Sequence, residues 1–460
     1  MLSLNMTLKS TKRIGMLVAR NNFVYRGVGA YAKSIIDWAL GEGYCIDIIS
    51  DAPVRSNGLF ERYEGKVQWI TPKDYIEDKI YKELSSFSKP FDIVLSLNFR
   101  NALVEALRKH TYDLIITNVG EALDAVTSIG VHKYCKVLHP THHESEAGVK
   151  VLHDIYSPGV ADINRSLCNL PDVYLACQST WVLDNAKIQY NRKDESEMLI
   201  ISPLIPEPEL LNFDTLPSER WGVGFIGPWE PRKNPEAYIN ALKKSGLPGV
   251  VLVPSSTSAK KFKERFENEG IEYKIYVGVT AEEKTKIIQS LAAAYHPAVS
   301  ETFGLGALET AHSCPTILLK KNDWSIAHSD YAIIIDESDV ADTLKEVYGQ
   351  GVSHELQQYL THRDIAIRKK LNVLTEREKI NKIPKNNFYS LLDKEGLIKH
   401  EDFTSAQATF CTDEIYKVLK IPTIETVEIL HSYNQTYYRT KGSNMLPNET
   451  DNPGSLFDFD

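Results

Sequence analysis

IGMLVARNNFVYRGVGAYAKSIIDWALGEGYCIDIIS, residues 14–50, is the stretch that decides the class of fold. It opens with a short apolar run at 14–19, between polar residues, which predicts a buried parallel strand. Gly27 and Gly29 predict a turn, and the apolar residues that follow recur at helical spacing. CIDIIS at 45–50 predicts a second strand, so the stretch predicts one strand–helix–strand unit.

Short β-rich runs continue along the chain, separated by polar or helical stretches. They fall at 92–98, 113–118, 135–140, 173–179, 198–205, 221–227, 249–254, 273–278, 292–297, 315–321 and 331–336. Alternation of this kind predicts an α/β fold of open, mostly parallel sheets with helices on both faces. Ligands of such sheets lie at the carboxyl ends of the strands, so two facing sheets predict a cleft between them.

A proline-rich segment divides this pattern into two parts. Residues 203–220 carry four prolines, which suit a linker better than a regular element. We therefore predict two Rossmann-like domains of similar size, joined by a linker and followed by a C-terminal extension. We expect the extension to pack back on the first domain and to end in a mobile tail. The predicted limits are 1–205, 206–220, 221–385 and 386–460.

Composition narrows the classes of protein. The net charge of −9 argues against a globally basic nucleic-acid coat, without excluding a local basic patch. The six cysteines include no CxxC pair, which favours free thiols in a reducing compartment. No segment approaches the roughly 20 apolar residues that span a bilayer. We therefore expect a cytoplasmic protein without a membrane span, in the host cytoplasm if the chain is viral.

SETFGLGALETAHSCPTILLKK, residues 300–321, carries two carboxylates around a glycine turn. The turn at 304–306 precedes a predicted helix whose first amides lack partners, and such a helix start favours phosphate. Glu309, one turn into the helix, suits ribose hydroxyls, and Glu301, ahead of the turn, suits a second sugar. Two surface acids at a helix start are the simpler interpretation of the same spacing.

Two cations lie at the end of an earlier predicted strand. In GFIGPWEPRKNPEAYINALKK, residues 224–244, a strand ends at Gly227 and a helix begins near Pro235. Arg232 and Lys233 lie between them, where two cations suit a diphosphate. Alone, the pair is a weak signal, because loops often carry such residues.

Residues 224–242 and 276–318 together resemble the donor-binding domain of retaining GT-B glycosyltransferases of the glycogen-synthase-like, GT4 type. The order of features matches: a glycine-ended strand, a basic pair, a Val-Gly turn with a helix, a strand of small residues, and two glutamates separated by seven residues. RGVGAYAKS at 26–34 is similar to that family's first glycine loop. The resemblance implies a GT-B fold of two facing Rossmann-like domains with a cleft between them. It also implies a UDP-sugar donor, with no cofactor or metal required.

The resemblance implies roles for individual residues. Arg232 and Lys233 would bind the donor diphosphate. Glu309 would hold the ribose, and Glu301 would hold the hydroxyls of the transferred sugar. The other donor-binding residues that it implies are Gly27, Gly29, Val277, Gly278, Phe303, Gly304 and Leu305. The chain departs from the family at Pro228, where an arginine usually follows the strand-ending glycine, and Arg232 is the candidate to replace that arginine.

KVLHPTHHESEAG, residues 136–148, ends a predicted strand of the first domain with a group of histidines. The resemblance implies that one of them contacts the donor sugar and, with Glu301, belongs to the catalytic residues. His139 fits best by strand length, and His142 or His143 fits if the strand runs longer. Zinc ligation and ordinary structural histidines are the alternatives, although no CxxC or HExxH accompanies the group.

The opening residues 14–50 are distantly similar to the first strand–helix unit of T-even phage DNA α-glucosyltransferases. The acceptor of those enzymes is the hydroxymethyl group of modified cytosine in duplex DNA. A DNA acceptor needs cations along the cleft and base flipping, and Arg20, Arg26 and Lys33 are candidates for the cations. Residues 362–385 carry eight basic and three acidic side chains, which indicates either a solvated helix face or an anionic partner.

Together, the two resemblances imply a retaining hexosyl- or pentosyltransferase that moves glucose, or a pentose such as arabinose, from a UDP-sugar. The favoured acceptor is 5-hydroxymethylcytosine in phage DNA, and a polysaccharide, a lipid-linked glycan or a small molecule is the alternative. A nucleotide-sugar epimerase and a sugar-nucleotide-binding module without activity are the alternatives from other classes. The acid pair together with the basic pair disfavours the inactive module.

Overall fold

The computed structural model describes residues 12–19, 27–53, 62–73, 93–133, 135–141, 167–190, 192, 196–205 and 219–375. The strands of these residues form two separate parallel sheets. One sheet is built from residues before 206 and the other from residues after 218. The two α/β units that the strand–helix alternation predicts are therefore present.

The first sheet lies between helices. Its strands are β1 (Arg13–Val18), β2 (Cys45–Ser50), β3 (Gln68–Ile70), β4 (Leu114–Thr117), β5 (Lys136–Pro140), β6 (Val173–Cys177) and β7 (Met198–Ile200). They pair in parallel in the order β3-β2-β1-β4-β5-β6-β7. Its helices are α1 (Gly27–Gly41), α2 (Ile93–Lys109), α3 (Gly120–Ser128) and α4 (Thr180–Tyr190). Leu17 belongs to one apolar cluster and its neighbours Met16 and Val18 to another, as expected for a parallel sheet buried on both faces.

The second sheet has the same construction. Its strands are β8 (Val223–Ile226), β9 (Gly249–Val253), β10 (Tyr273–Val277), β11 (Ala293–His296), β12 (Thr316–Leu319) and β13 (Ile333–Ile335). They pair in parallel in the order β10-β9-β8-β11-β12-β13. Its helices are α5 (Pro235–Ser245), α6 (Ser256–Glu269), α7 (Ala281–Gln289), α8 (Leu305–Ala311) and α9 (Val340–Val347). Phe225 of β8 packs with Phe262 and Phe266 of α6 in the core.

We call the sheet before residue 206 with its helices the first half, and the sheet after residue 218 with its helices the second half. The last described helix, α10 (His354–Thr375), contacts both halves. Leu360, near its start, packs in a cluster with Leu308 of the second half. Leu371, near its end, packs in the cluster that contains the β1 residue Met16. The side chain of Asp364, between them, accepts a hydrogen bond from the amide of Ile205 at 2.9 Å. The helix therefore ties the end of the first half to the second.

Two local predictions are wrong. Residues 93–98 of the strand predicted at 92–98 lie in α2, because the apolar residues of this run continue at helical spacing through Phe99 and Leu103, both buried. A short apolar run does not by itself distinguish a strand from one face of a helix. The turn predicted at Gly27 and Gly29 is also absent as a separate feature, because α1 begins at Gly27 and contains both.

The predicted domain limits stay a prediction. Most of the predicted linker, residues 206–218, and the whole predicted extension, residues 386–460, lie outside the described residues. Within the part of the chain that the structure describes, no helix has both the length and the apolar character needed to cross a bilayer.

Candidate active site

The candidate site lies where the strand order of the second sheet reverses. Strands β8 and β11 are neighbours there, although two strands separate them in the sequence. The loops that leave their carboxyl ends run together, and the amide of Val299 donates to the carbonyl of Arg232 at 2.8 Å. Such a reversal opens a crevice in which doubly wound sheets bind ligands.

The loop after β8 presents the two predicted cations. Gly227 has a φ of 147°, which L side chains rarely adopt, and an added Cβ would lie 3.2 Å from the Lys233 side chain. Pro231–Lys233 forms a short 3-10 turn, and Asn234 in the left-handed region leads into α5. The loop therefore turns the chain so that Arg232 and Lys233 both reach Glu301.

Glu301 is shared by these two cations. Arg232 Nη1 donates to Glu301 Oε2 at 3.0 Å, and Lys233 Nζ donates to Glu301 Oε1. Arg232 Nη1 also donates to the carbonyl of Ser300 at 3.1 Å. Burial by itself raises the pKa of Glu301, but the charges of Lys233 and Arg232 outweigh it and hold that pKa below its ordinary value. Glu301 is therefore an ionised carboxylate with only 12% of its side chain exposed.

Glu309 lies on α8, and its carboxylate is bound by a lysine of α7. Its Oε1 accepts a hydrogen bond from Lys284 Nζ at 2.7 Å. Its Oε2 is buried and has no hydrogen-bond partner among the described residues. Buried oxygens normally have partners, so this atom is suited to accept a hydrogen bond from a ligand hydroxyl.

Gly304 marks the start of α8. Its φ is 87°, and an added Cβ would lie 2.5 Å from the ring of Trp324. Leu305 is the first residue of α8, and Phe303 is buried before the turn. The carbonyl of Phe303 accepts a hydrogen bond from His328 Nε2, which holds the loop from below. The loop is therefore shaped by close backbone packing that only glycine allows at position 304.

His296 ends β11 and lies at the base of the same pocket. Its Nε2 is 3.0 Å from Thr310 Oγ1 of α8. Burial, together with the nearby charge of Lys233, lowers the pKa of His296 to about 3, so the ring is neutral near pH 7. The lining of the pocket includes Ile226, Lys233, His296, Glu301, Gly304 and Gly306.

Val277 and Gly278 do not line this pocket. Val277 ends the edge strand β10, and Gly278 follows it with a φ of 58°. Thr280 then caps α7 through reciprocal hydrogen bonds with Glu283. These two predicted donor-binding residues therefore lie directly before the helix that carries Lys284, and their contact with the donor stays a prediction.

The predicted residues of the first half are only partly within the described chain. His139 is buried in β5, with Nδ1 2.8 Å from Thr117 Oγ1. Lys33 is half-buried in α1. Gly27 and Gly29 lie in the first turn of α1. His142, His143, Arg20 and Arg26 lie outside the described residues. Within the described ranges, no group of three or more His, Cys, Asp or Glu side chains is placed to hold a metal ion.

Part of the basic cluster at 362–385 makes internal contacts. Arg363 Nη2 donates to the carbonyl of Pro203 at 2.8 Å, and Lys370 Nζ donates to the carbonyl of Ile200 at 3.1 Å. These two cations join α10 to the end of the first half. They are therefore less available to an anionic partner than the sequence pattern alone indicates.

Sequence reasoning missed two residues of the site, Lys284 and His296. Lys284 lies 25 positions before Glu309, and its distance from that carboxylate depends on how α7 and α8 pack. His296 could have been noticed, because it is a polar residue at the end of the apolar run AAAYHP that leads into the Glu301 loop.

Comparisons with known proteins show which solved structures have a similar fold. No protein-family model and no curated protein sequence matches the chain. Among solved structures, it is similar to HepE from Anabaena in complex with UDP and glucose, with a TM-score of 0.55, 14% identity, and coverage of 79% of this chain and 98% of that one. Sucrose-phosphate synthase from Thermosynechococcus elongatus has a TM-score of 0.57 and 13% identity, with coverage of 79% and 98%.

A glycosyltransferase from Rickettsia africae is similar over 85% of this chain and 100% of its own, with a TM-score of 0.54 and 13% identity. At such identities the likeness concerns the fold. The chain has the GT-B architecture of two Rossmann-like units, and the predicted fold class is confirmed.

Proposed function

We propose that this protein is a retaining glycosyltransferase that moves a sugar from a UDP-sugar to an acceptor hydroxyl. One observation carries the proposal: Arg232, Lys233 and Glu301 meet at the strand-order reversal of a GT-B fold. HepE, which has this fold, has been crystallised with UDP and with UDP-glucose. A basic pair beside an ionised carboxylate suits a ligand that combines a diphosphate with sugar hydroxyls.

The chemistry follows from the charge that develops during transfer. The bond between the anomeric carbon and the diphosphate oxygen breaks, the acceptor oxygen bonds to the same face, and the acceptor proton passes to the diphosphate. Negative charge therefore grows on the diphosphate, where Arg232 and Lys233 stabilise it. Such a front-face reaction requires no carboxylate nucleophile and no metal.

The remaining roles belong to the same proposal. Glu301 accepts hydrogen bonds from hydroxyls of the transferred sugar, and Glu309 Oε2 accepts from the ribose. On the side of the first half, one of His139, His142 and His143 lies beside the anomeric carbon.

The acceptor that we propose is 5-hydroxymethylcytosine in duplex phage DNA, with glucose or a pentose such as arabinose as the transferred sugar. The support is the similarity of residues 14–50 to phage DNA α-glucosyltransferases and the cations Arg20, Arg26 and Lys33 within that stretch. A polysaccharide or lipid-linked glycan is the alternative acceptor, and a sugar-nucleotide-binding module is the alternative without activity.

The test uses the full chain with UDP-glucose or UDP-arabinose and two duplex oligonucleotides. The duplexes differ only in 5-hydroxymethylcytosine against cytosine, and mass spectrometry detects the added sugar. We expect transfer to the hydroxymethylated duplex alone. Transfer to an oligosaccharide but to neither duplex would overturn the DNA acceptor. Tight binding of UDP-glucose without transfer to any acceptor would support the inactive module, and no binding of either nucleotide sugar would overturn the donor class.

A further inference from the structure

The two cations proposed for the diphosphate already have an anionic partner. Glu301 Oε2 lies 3.0 Å from Arg232 Nη1, and Glu301 Oε1 accepts from Lys233 Nζ. Among the described residues these are the two cations within ion-pair distance of Glu301. Arg232 has a second carboxylate at 3.7 Å, that of the more exposed Glu230. An incoming diphosphate therefore competes with Glu301 for both cations.

Displacement leaves Glu301 in an unfavourable position. Its side chain is only 12% exposed, so water does not fully replace the lost partners. A mostly buried carboxylate without partners is strongly disfavoured, because burial removes the hydration of the charge. A diphosphate that carries a sugar supplies that sugar's hydroxyls as donors to the freed carboxylate. Inorganic pyrophosphate has no sugar hydroxyl, and the ribose hydroxyls of UDP are the ones proposed for Glu309, so neither ligand offers such donors to Glu301.

We propose that Glu301 makes this site select diphosphates that carry a hydroxyl-rich group over free diphosphates. Without a bound diphosphate, Glu301 offsets part of the positive charge of Arg232 and Lys233 and weakens their attraction for any bare diphosphate. In the occupied site its charge is satisfied by the hydroxyls of the transferred sugar. The site thereby favours intact donor over the UDP that remains after transfer. The inference rests on the proposed function, because it assigns the diphosphate to the same two cations.

The test compares wild-type protein with Glu301→Gln in calorimetric titrations with pyrophosphate, UDP and UDP-glucose. Glutamine keeps the shape of the side chain and removes its charge, so the two cations lose their neutralising partner. We expect E301Q to bind UDP and pyrophosphate about tenfold more tightly than wild type, since unopposed cations attract an anion more strongly. We expect the wild-type preference for UDP-glucose over UDP to fall by about the same factor in E301Q.

Glu309→Gln is the matched control, because that carboxylate contacts Lys284 and neither diphosphate cation. E309Q should bind UDP and UDP-glucose more weakly by a similar factor. The ratio of the two affinities should therefore stay close to that of wild type. If E301Q binds UDP no more tightly than wild type, the selectivity proposal is wrong and the proposed function still stands. If wild type binds neither UDP nor UDP-glucose, both the selectivity proposal and the proposed function are wrong. Should E301Q not fold, the wild-type protein alone tests the selectivity proposal. Equal wild-type affinities for UDP and UDP-glucose would overturn it.

Discussion

At the scale of single residues, the two carboxylate oxygens of Glu309 differ in their contacts: one is bound by Lys284 and the other is available to a ligand. Oε1 accepts from Lys284 Nζ at 2.7 Å, and Oε2 is buried without a partner among the described residues. The side chain of Glu309 is 11% exposed, so its orientation depends on protein contacts more than on water. Lys284 is therefore a positioning residue, which acts on a ligand through Glu309.

Lys284→Met removes the ammonium and keeps much of the apolar chain. We expect the affinity for UDP to fall by about tenfold, because a charge-assisted hydrogen bond that fixes Glu309 is lost. Lys286→Met is the control, since Lys286 lies on the same helix and pairs with the exposed Glu282. Isothermal titration with UDP checks both variants, and Lys284→Arg should restore most of the affinity. A K284M protein that binds UDP like wild type would remove the positioning role.

The residues of the site could be predicted from sequence only where their signal is local. Glu301 and Glu309 lie within one short stretch, and Arg232 and Lys233 are adjacent at the end of a strand. Their patterns are therefore visible without tertiary structure. The pairing of Glu301 with both cations was not predicted, because it spans 68 and 69 positions of the chain.

At the scale of elements, β-rich runs predicted most strands because both sheets are parallel and buried on both faces. There are two exceptions. The strand β3 was not predicted, and α2 contains residues 93–98 of a predicted strand, whose apolar residues continue for two further turns in a helix. The role of α10 was also invisible in its composition. Its basic residues suggested a solvated face or an anionic partner, whereas its buried residues Ile367, Leu371 and Leu374 pack into the cluster of the first sheet.

Leu371 and Val373 of α10 provide a matched pair of sites for a stability test. Leu371 is fully buried, whereas Val373 is 58% exposed on the same helix. Leu371→Ala should lower the free energy of unfolding by about 2–5 kcal/mol, because it deletes a core side chain and leaves a cavity. Val373→Ala should change it by no more than about 0.5 kcal/mol. Urea unfolding followed by circular dichroism measures both, and equal effects would contradict the packing of α10 on the first sheet.

At the scale of the whole molecule, Arg363 links three parts of the chain. Its Nη2 donates to the carbonyl of Pro203 at 2.8 Å, at the end of the first half. Its Nη1 pairs with Asp364 at 2.7 Å, and Asp364 accepts from the amide of Ile205. Its guanidinium also lies 5.6 Å from the ring centroid of Phe303, in the loop that carries Glu301. Arg363 therefore contacts both the connection between the two halves and the loop of the candidate site.

Arg363→Met should weaken this link and let the two halves unfold more independently. The ratio of calorimetric to van't Hoff enthalpy measures this coupling, because it is close to one for a single cooperative transition. We expect the ratio to rise in R363M, towards about two if the halves separate completely. Lys369→Met is the control, since Lys369 is exposed on the same helix, and it should keep the wild-type ratio. An R363M protein with an unchanged ratio would show that the apolar faces of α10, rather than Arg363, couple the two halves.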